Sequence, residues 1–178
     1  MQNRVDTKIL VMWGMKSLLT AATMLLFVHT QAQRSVSWRE KVDDVIEQTD
    51  SLSLKSQTTF YLVKYLKHDR CIKETWYYTL KEGKPVFFQL RYAIDTSEIT
   101  ETYYLNRNQL ICMAEFEGPY QSKSDELNRG EIYFFNDDIL RQYVVSGATG
   151  QSRSKLSRQN DCLIKFSQRL AELRANLR

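Results

Sequence analysis

Glu101, Glu115 and Glu117 are the residues of this chain best suited to catalysis. Glu115 and Glu117 stand two apart, a spacing that on a β-strand puts both carboxylates on one face about 7 Å apart. Glu101 lies on the strand before and comes near them by hairpin pairing. A glycoside hydrolase uses carboxylates paired at such distances, one as acid and one as base or nucleophile. A carboxylate-based hydrolase is therefore one reading, and a solvated rim of alternating glutamates is the other. His68 is the one histidine beyond residue 32; set among Lys67, Asp69 and Arg70, it reads as a surface side chain in a charged link. With no second histidine nearby and no clustered cysteines, the ligand spacing of a zinc site is missing. The glycines form no phosphate-binding loop. Asp95 to Glu98 lacks calcium-loop spacing, and Asp137-Asp138 reads as a turn. No metal and no cofactor are expected.

The cysteines are Cys71, Cys112 and Cys162. Cys112 sits in the apolar run Leu110-Ile111-Cys112-Met113-Ala114 and should pack as a small hydrophobe. Cys71 and Cys162 fall in polar settings near element ends, which makes them the candidate disulfide pair; three free thiols is the alternative. A structural disulfide needs an oxidising compartment, and the N-terminal stretch points to one. Lys16 precedes the apolar run Ser17 to Val28, and Thr30-Gln31-Ala32 offers the small side chains a signal peptidase needs. Residues 1–32 therefore read as a cleavable signal peptide, cut after Ala32. The run is shorter than the ~20 residues of a membrane-spanning helix, so a retained anchor is the weaker reading. No cysteine follows the run to carry a lipid. The residues before Met15 are an extended signal start, or Met15 is the true initiator. What remains, 33–178, is expected to be periplasmic or secreted, without a stable membrane span. Its length suits a single domain that buries its own core without metal or disulfide framework.

The formal charge of +4 falls to +2 once residues 1–32 are set aside, which argues against a nucleic-acid binder with its concentrated basic face. The charge is unevenly spread. Arg153 to Arg178 carries a net +5, while the first helix, with Glu40, Asp43, Asp44, Glu47 and Asp50 against Arg39 and Lys41, carries −3. Either the two terminal helices attract each other, or they present two solvated faces whose pairing is worth little.

Periodicity lays out the secondary structure that carries these residues. Ser37-Trp38-Arg39-Glu40 is a capping-box pattern, and Trp38, Val42, Val45, Ile46 and Leu52 then recur at helical spacing. That helix should fade between Asp50 and Leu54. From Thr58 to Val145 the period becomes two, and every aromatic residue beyond residue 32 except Trp38 and Phe166 falls there. Turn signals at Lys81 to Lys84, Asp95 to Ser97, Asn106 to Asn108, Glu117 to Pro119 and Asn136 to Asp138 cut the span into antiparallel hairpins. A polar connector runs through Gly147 to Gly150 and Ser152 to Ser157. A last helix starts near Asn160, with Leu163, Phe166, Leu170, Leu173 and Leu177 as one stripe for docking on a sheet. A coiled-coil dimer through that stripe is too short to be preferred. The expected fold is α+β: a curled antiparallel meander of about seven strands flanked by an N-terminal and a C-terminal amphipathic helix.

Tyr103-Tyr104-Leu105-Asn106-Arg107-Asn108-Gln109-Leu110 matches Tyr133-Phe134-Phe135-Asn136-Asp137-Asp138-Ile139-Leu140 thirty residues on. Tyr77-Tyr78, a turn, then Val86-Phe87 is a looser third copy. The pattern resembles the tandem β-hairpin repeats of variant MORN-type proteins over about 70 residues, without the glycine their turns carry. The resemblance implies a fold and no activity.

The sheet should have two unlike faces. Phe60, Leu62, Trp76, Tyr78, Phe88, Leu90, Leu110 and Phe116 are assigned to the helices. Tyr61, Tyr65, Tyr77, Phe87, Arg91, Tyr104, Phe134, Arg141 and Tyr143 fall on the other face. Tyr and Arg offer broad area with a polar handle, as contact surfaces do; the alternative is a second core under a helix or a curl of the sheet. From this follows a non-enzymatic exported binding module for a protein, peptide or glycan of the cell envelope, with Tyr61, Tyr77, Phe87, Arg91, Tyr104, Arg141 and Tyr143 as ligand-binding residues. A periplasmic inhibitor or immunity-type protein that plugs a hydrolase is the alternative, with the polar stretch Gly118 to Arg129 as its loop. A carboxylate hydrolase ranks last.

Overall fold

Three hairpin turns of one build set the architecture. Each joins two strands through two residues of positive φ and is followed by a one-residue bulge on the returning strand. The pairs are Glu82-Gly83, Arg107-Asn108 and Asp137-Asp138, and the bulged residues are Val86, Ile111 and Arg141. Positive φ at both central positions matches the right-handed twist of the flanking strands. The repeat that begins at Tyr103 and Tyr133 is thus a repeat of structure. Its third copy starts at Tyr78-Thr79, one residue later than the Tyr77-Tyr78 alignment, because Lys81 stands where Asn106 and Asn136 do.

The computed structural model describes residues 38–65, 71–120, 127–147 and 153–177. The signal stretch, Ser37, His68 and residues 121–126 and 148–152 lie outside the described residues. The chain divides into two units, residues 1–43 and 44–178. Of the first, residues 38–43 are described; they open helix α1 (38–56), and Arg39 pairs there with Asp43 at 2.8 Å. The second unit holds the remainder of α1, seven strands and helix α2. The strands are β1 (Thr58–Tyr65), β2 (Cys71–Lys81), β3 (Lys84–Ile94), β4 (Ser97–Asn106), β5 (Gln109–Pro119), β6 (Arg129–Asn136) and β7 (Ile139–Gly147). They pair antiparallel in chain order as one open sheet. This is the α+β meander that the alternating pattern implies.

Helix α2 (Lys155–Asn176) starts earlier than the apolar spacing suggests. Ser154 caps it by accepting the Ser157 amide, and the first turns bury Arg158 instead of an apolar residue, so the hydrophobic signal appears late. Lys155 to Ser157 are therefore helix, not connector. The expected stripe docks on the sheet: Phe166, Leu170 and Leu173 are buried, with Leu163 and Leu177 at the margin. Beneath them rings stack in series, Phe60 on Trp76, Trp76 on Phe88 and Phe88 on Tyr103, with centroids 5.4, 6.1 and 4.5 Å apart. Such offset stacks add to the area term of burial.

From residue 44 onward α1 meets the opposite face. Ser53 and Thr79 share a buried hydrogen bond of 2.9 Å, and the Tyr104 hydroxyl donates to Asp50 at 2.9 Å. Phe87, paired with both Thr79 and Tyr104, is buried there. Neither expectation for the helix charges describes Arg158, Lys165 and Arg169 of α2, which turn into the sheet.

The bulges correct two face assignments. Leu110 and Phe116 share the same parity, but the bulge at Ile111 lies between them and reverses it. Phe116 pairs with Thr100 and Gly130 on the face away from α2, while Glu115 points towards α2. The bulge at Arg141 does the same for Tyr143, which pairs with Tyr133 on the α2 face and lies under Arg158. Among the described residues no helix is long and apolar enough to cross a membrane.

Candidate functional site

The glutamates that read as chemistry form a ladder under α2. Glu101, Glu115 and Glu131 are direct cross-strand partners on β4, β5 and β6. Like charges in that arrangement repel, and a buried carboxylate must be paired to remain ionised. The chain meets both demands with cations. Arg169 grips Glu101 through Nε and Nη2, both at 3.1 Å, and its Nη1 reaches Glu74 at 3.1 Å. Lys165 bridges Glu101 and Glu115. Arg129 and Arg158 hold Glu131, and Lys64 ties Glu74 to Glu172. Five carboxylates thus meet five cations from β1 to α2, in a network without net charge.

Aromatic donors complete it. Trp76 Nε1 donates to Glu74, the Tyr103 and Tyr92 hydroxyls to Glu101, and the Tyr133 hydroxyl to Glu131. The sequence carries this signal unread, as Glu74-Thr75-Trp76, Glu101-Thr102-Tyr103 and Glu131-Ile132-Tyr133. Residues two apart on a strand share a face, so each ring hydroxyl or indole N–H can reach back to its carboxylate. Burial alone would raise the Glu101 carboxyl, but the Arg169 hydrogen bonds and the Lys165 charge prevail and draw it down to about 2. Glu131 is lowered in the same way by Arg129 and Tyr133. Burial and the Glu101 charge push the Tyr92 and Tyr103 hydroxyls upward. Glu101 therefore stays ionised at neutral pH and has no proton to give as a general acid. Glu115 is not a solvated rim residue but part of this ladder, and Glu117 accepts a hydrogen bond from Ser97.

The residues proposed from sequence for the opposite face separate into three groups. Phe87 is buried and Tyr104 is engaged by Asp50, both beside α1. Tyr143 lies on the α2 face, and Arg141 is a bulge residue whose carbonyl accepts from Lys155. Tyr61, Tyr77 and Arg91 do come together on β1 to β3. Lys73 Nζ stands 4.5 Å over the Tyr61 ring and the Arg91 guanidinium 5.5 Å over that of Tyr77, in the range of cation–π attraction. Beside them lies an open depression of about 470 Å³ with Thr75, Glu98 and Tyr120 in its walls. Tyr120 and Glu98 enter because the start of β4 pairs with the end of β5, a register that no single strand encodes. Along its margin β1 exposes Tyr61, Val63 and Tyr65, at 63, 50 and 84%.

All three cysteines are free, Cys71 exposed and the other two buried. The expected Cys71–Cys162 bridge is not formed. Cys162 packs in the α2 core, where the charges of Glu115 on β5 and Glu131 on β6 act on it, whereas Cys71 opens β2. Three strand spacings of about 4.8 Å exceed the ~7 Å that a disulfide spans between Cα atoms. Burial pushes the Cys162 thiol up to about 12. Cys112 is buried, as its apolar strand suggests.

Among the described residues no group of His, Cys, Asp and Glu is arranged to hold a metal ion. Comparison with known protein families, with curated proteins and with solved structures finds no match to this chain.

Proposed function

We propose that this protein is an exported, non-enzymatic binding module that takes an extended segment of an envelope protein along β1 and over the Tyr61, Tyr77 and Arg91 patch. The observation that carries the reading is the outer edge of β1. Among the described residues β1 pairs with β2 alone, which leaves a row of backbone donors and acceptors on its other side without a strand partner. Natural edge strands are usually guarded by charge, proline or a bulge. Here the exposed positions are Thr58, Thr59, Tyr61, Val63 and Tyr65, and the single charge, Lys64, is turned inward to Glu74 and Glu172. A peptide adding to such an edge gains main-chain hydrogen bonds for affinity and alternate side-chain contacts for specificity. Lys73 and Arg91 already occupy ring faces of Tyr61 and Tyr77 that a sugar would need for stacking, which favours peptide over glycan. The non-enzymatic reading draws support from Glu101, Glu115 and Glu131, whose charges are all spent on α2 and Arg129. Export rests on residues 15–32.

The test is photo-crosslinking in the envelope, with a photoreactive phenylalanine at Tyr65 and, as control, at Ile164 on the exposed side of α2. A discrete crosslinked protein at position 65 and none at 164 is the expected result. No adduct at 65, or the same adducts at both positions, refutes it.

A further inference from the structure

The opposite end of the sheet holds a second, chemically different cleft of about 440 Å³, between α1 and the ends of the β2–β3 and β4–β5 hairpins. Three cations line it, Lys81, Lys84 and Arg107, against one carboxylate, Glu82. Among the described residues none of the three is ion-paired, in contrast to Lys64, Arg129, Arg158, Lys165 and Arg169 under α2.

Their placement works against the fold. Lys81 and Lys84 are direct cross-strand partners, and like charges so placed destabilise a hairpin. Arg107 sits at φ 51° and Glu82 at φ 54°. Among the described residues the other non-glycine positions with positive φ are Asp95, Asn108, Asp137 and Asp138, types that adopt this conformation far more readily. The two ill-suited turn residues both line the same cleft, and strain of this kind persists at functional positions.

The chemistry of the lining defines a ligand. Among the described residues that line the cleft, three cations and one carboxylate leave +2, which matches the charge of about −1.5 to −2 on a phosphomonoester at neutral pH, while Asp44, Glu47 and Asp50 on α1 are not among them. Asn106, Asn108 and Gln48 add side-chain amides. Val45 and Leu52 from α1, with Pro85 and Val86 from β3, provide an apolar wall. We propose that this cleft binds a phosphomonoester carried on a small apolar body. The site is independent of the β1 edge, and neither reading needs the other.

The experiment is titration of the full chain with hexyl phosphate, followed by amide NMR, with hexanoate and inorganic phosphate for comparison. Saturable shifts at residues 81–84 and 106–108 are expected. Hexanoate, with less charge, and phosphate, with no apolar body, should each bind about tenfold more weakly, about 1.4 kcal/mol. Two variants separate binding from folding, because asparagine suits both turn positions better than the native residue. Arg107→Asn should raise the unfolding midpoint and lower hexyl phosphate affinity about tenfold, whereas Glu82→Asn should raise both. Absence of saturable shifts, hexanoate binding as tightly as hexyl phosphate, or unchanged affinity in Arg107→Asn overturns the proposal.

Discussion

Replacing Glu101 by Gln tests the ladder under α2 most directly, because the change keeps the shape of the side chain and removes one charge. The Glu101 carboxyl is held at about 2 against an ordinary 4.5. At 1.36 kcal/mol per pKa unit that difference is worth about 3 kcal/mol of folding stability. The folded value is the depressed one, so this contribution is complete above about pH 5 and is lost as pH falls through 4.5 towards 2. Glu101→Gln should therefore unfold about 3 kcal/mol more easily than the wild type at pH 7, with Arg169 and Lys165 left short of one partner charge. Near pH 2 the wild-type carboxyl is half protonated in the folded protein and most of this contribution is gone, so the two proteins should come within about 0.5 kcal/mol of each other. Urea unfolding monitored by fluorescence, with Trp76 buried beside Glu74, measures the gap at each pH. Taking the difference between the two proteins cancels the titration of groups remote from Glu101. A gap that stays constant from pH 7 to pH 2, or no gap at pH 7, would refute the claim that cations hold this carboxylate ionised.

Other consequences are simpler to measure. In the native protein a thiol reagent should modify Cys71 rapidly and leave Cys112 and Cys162 untouched until denaturant is added, since both are buried and the Cys162 thiol is pushed up to about 12. Leu173→Ala, at a site with no solvent exposure, should cost about 2–5 kcal/mol in thermal or urea unfolding. Gly147→Ala should destabilise more than Gly130→Ala. At Gly147, with φ 85°, a Cβ would meet the Asn128 carbonyl oxygen. At Gly130 it would meet the Phe116 ring and Ser146 Oγ at 3.1 Å, side chains that can yield, for a cost near the low end of about 1–3 kcal/mol.

Local periodicity was enough to specify several features of this chain. The two-residue alternation from Thr58 to Val145, cut by Asn and Asp turns, specified hairpins in chain order. The Leu163, Phe166, Leu170 and Leu173 stripe specified a helix that docks by one side. Cys112, inside an apolar strand, was legible as a core residue. Of the seven residues assigned to the face away from α2, Tyr61, Tyr77, Phe87, Arg91 and Tyr104 do lie there, although α1 takes up Phe87 and Tyr104. The faces of Phe116 and Tyr143 were not legible. A single bulged residue at Ile111 or Arg141 reverses every face after it, and bulge position depends on pairing across strands, which no one strand encodes. The role of the glutamates was likewise a tertiary decision. Glu101, Glu115 and Glu131 are far apart in the chain and alike in charge, so nothing local distinguishes a catalytic pair, a solvated rim and a neutralised ladder. Only the docking of α2, which carries Arg158, Lys165 and Arg169 onto the strands, made them the last of these, since Coulomb energy depends on separation in space and not in sequence.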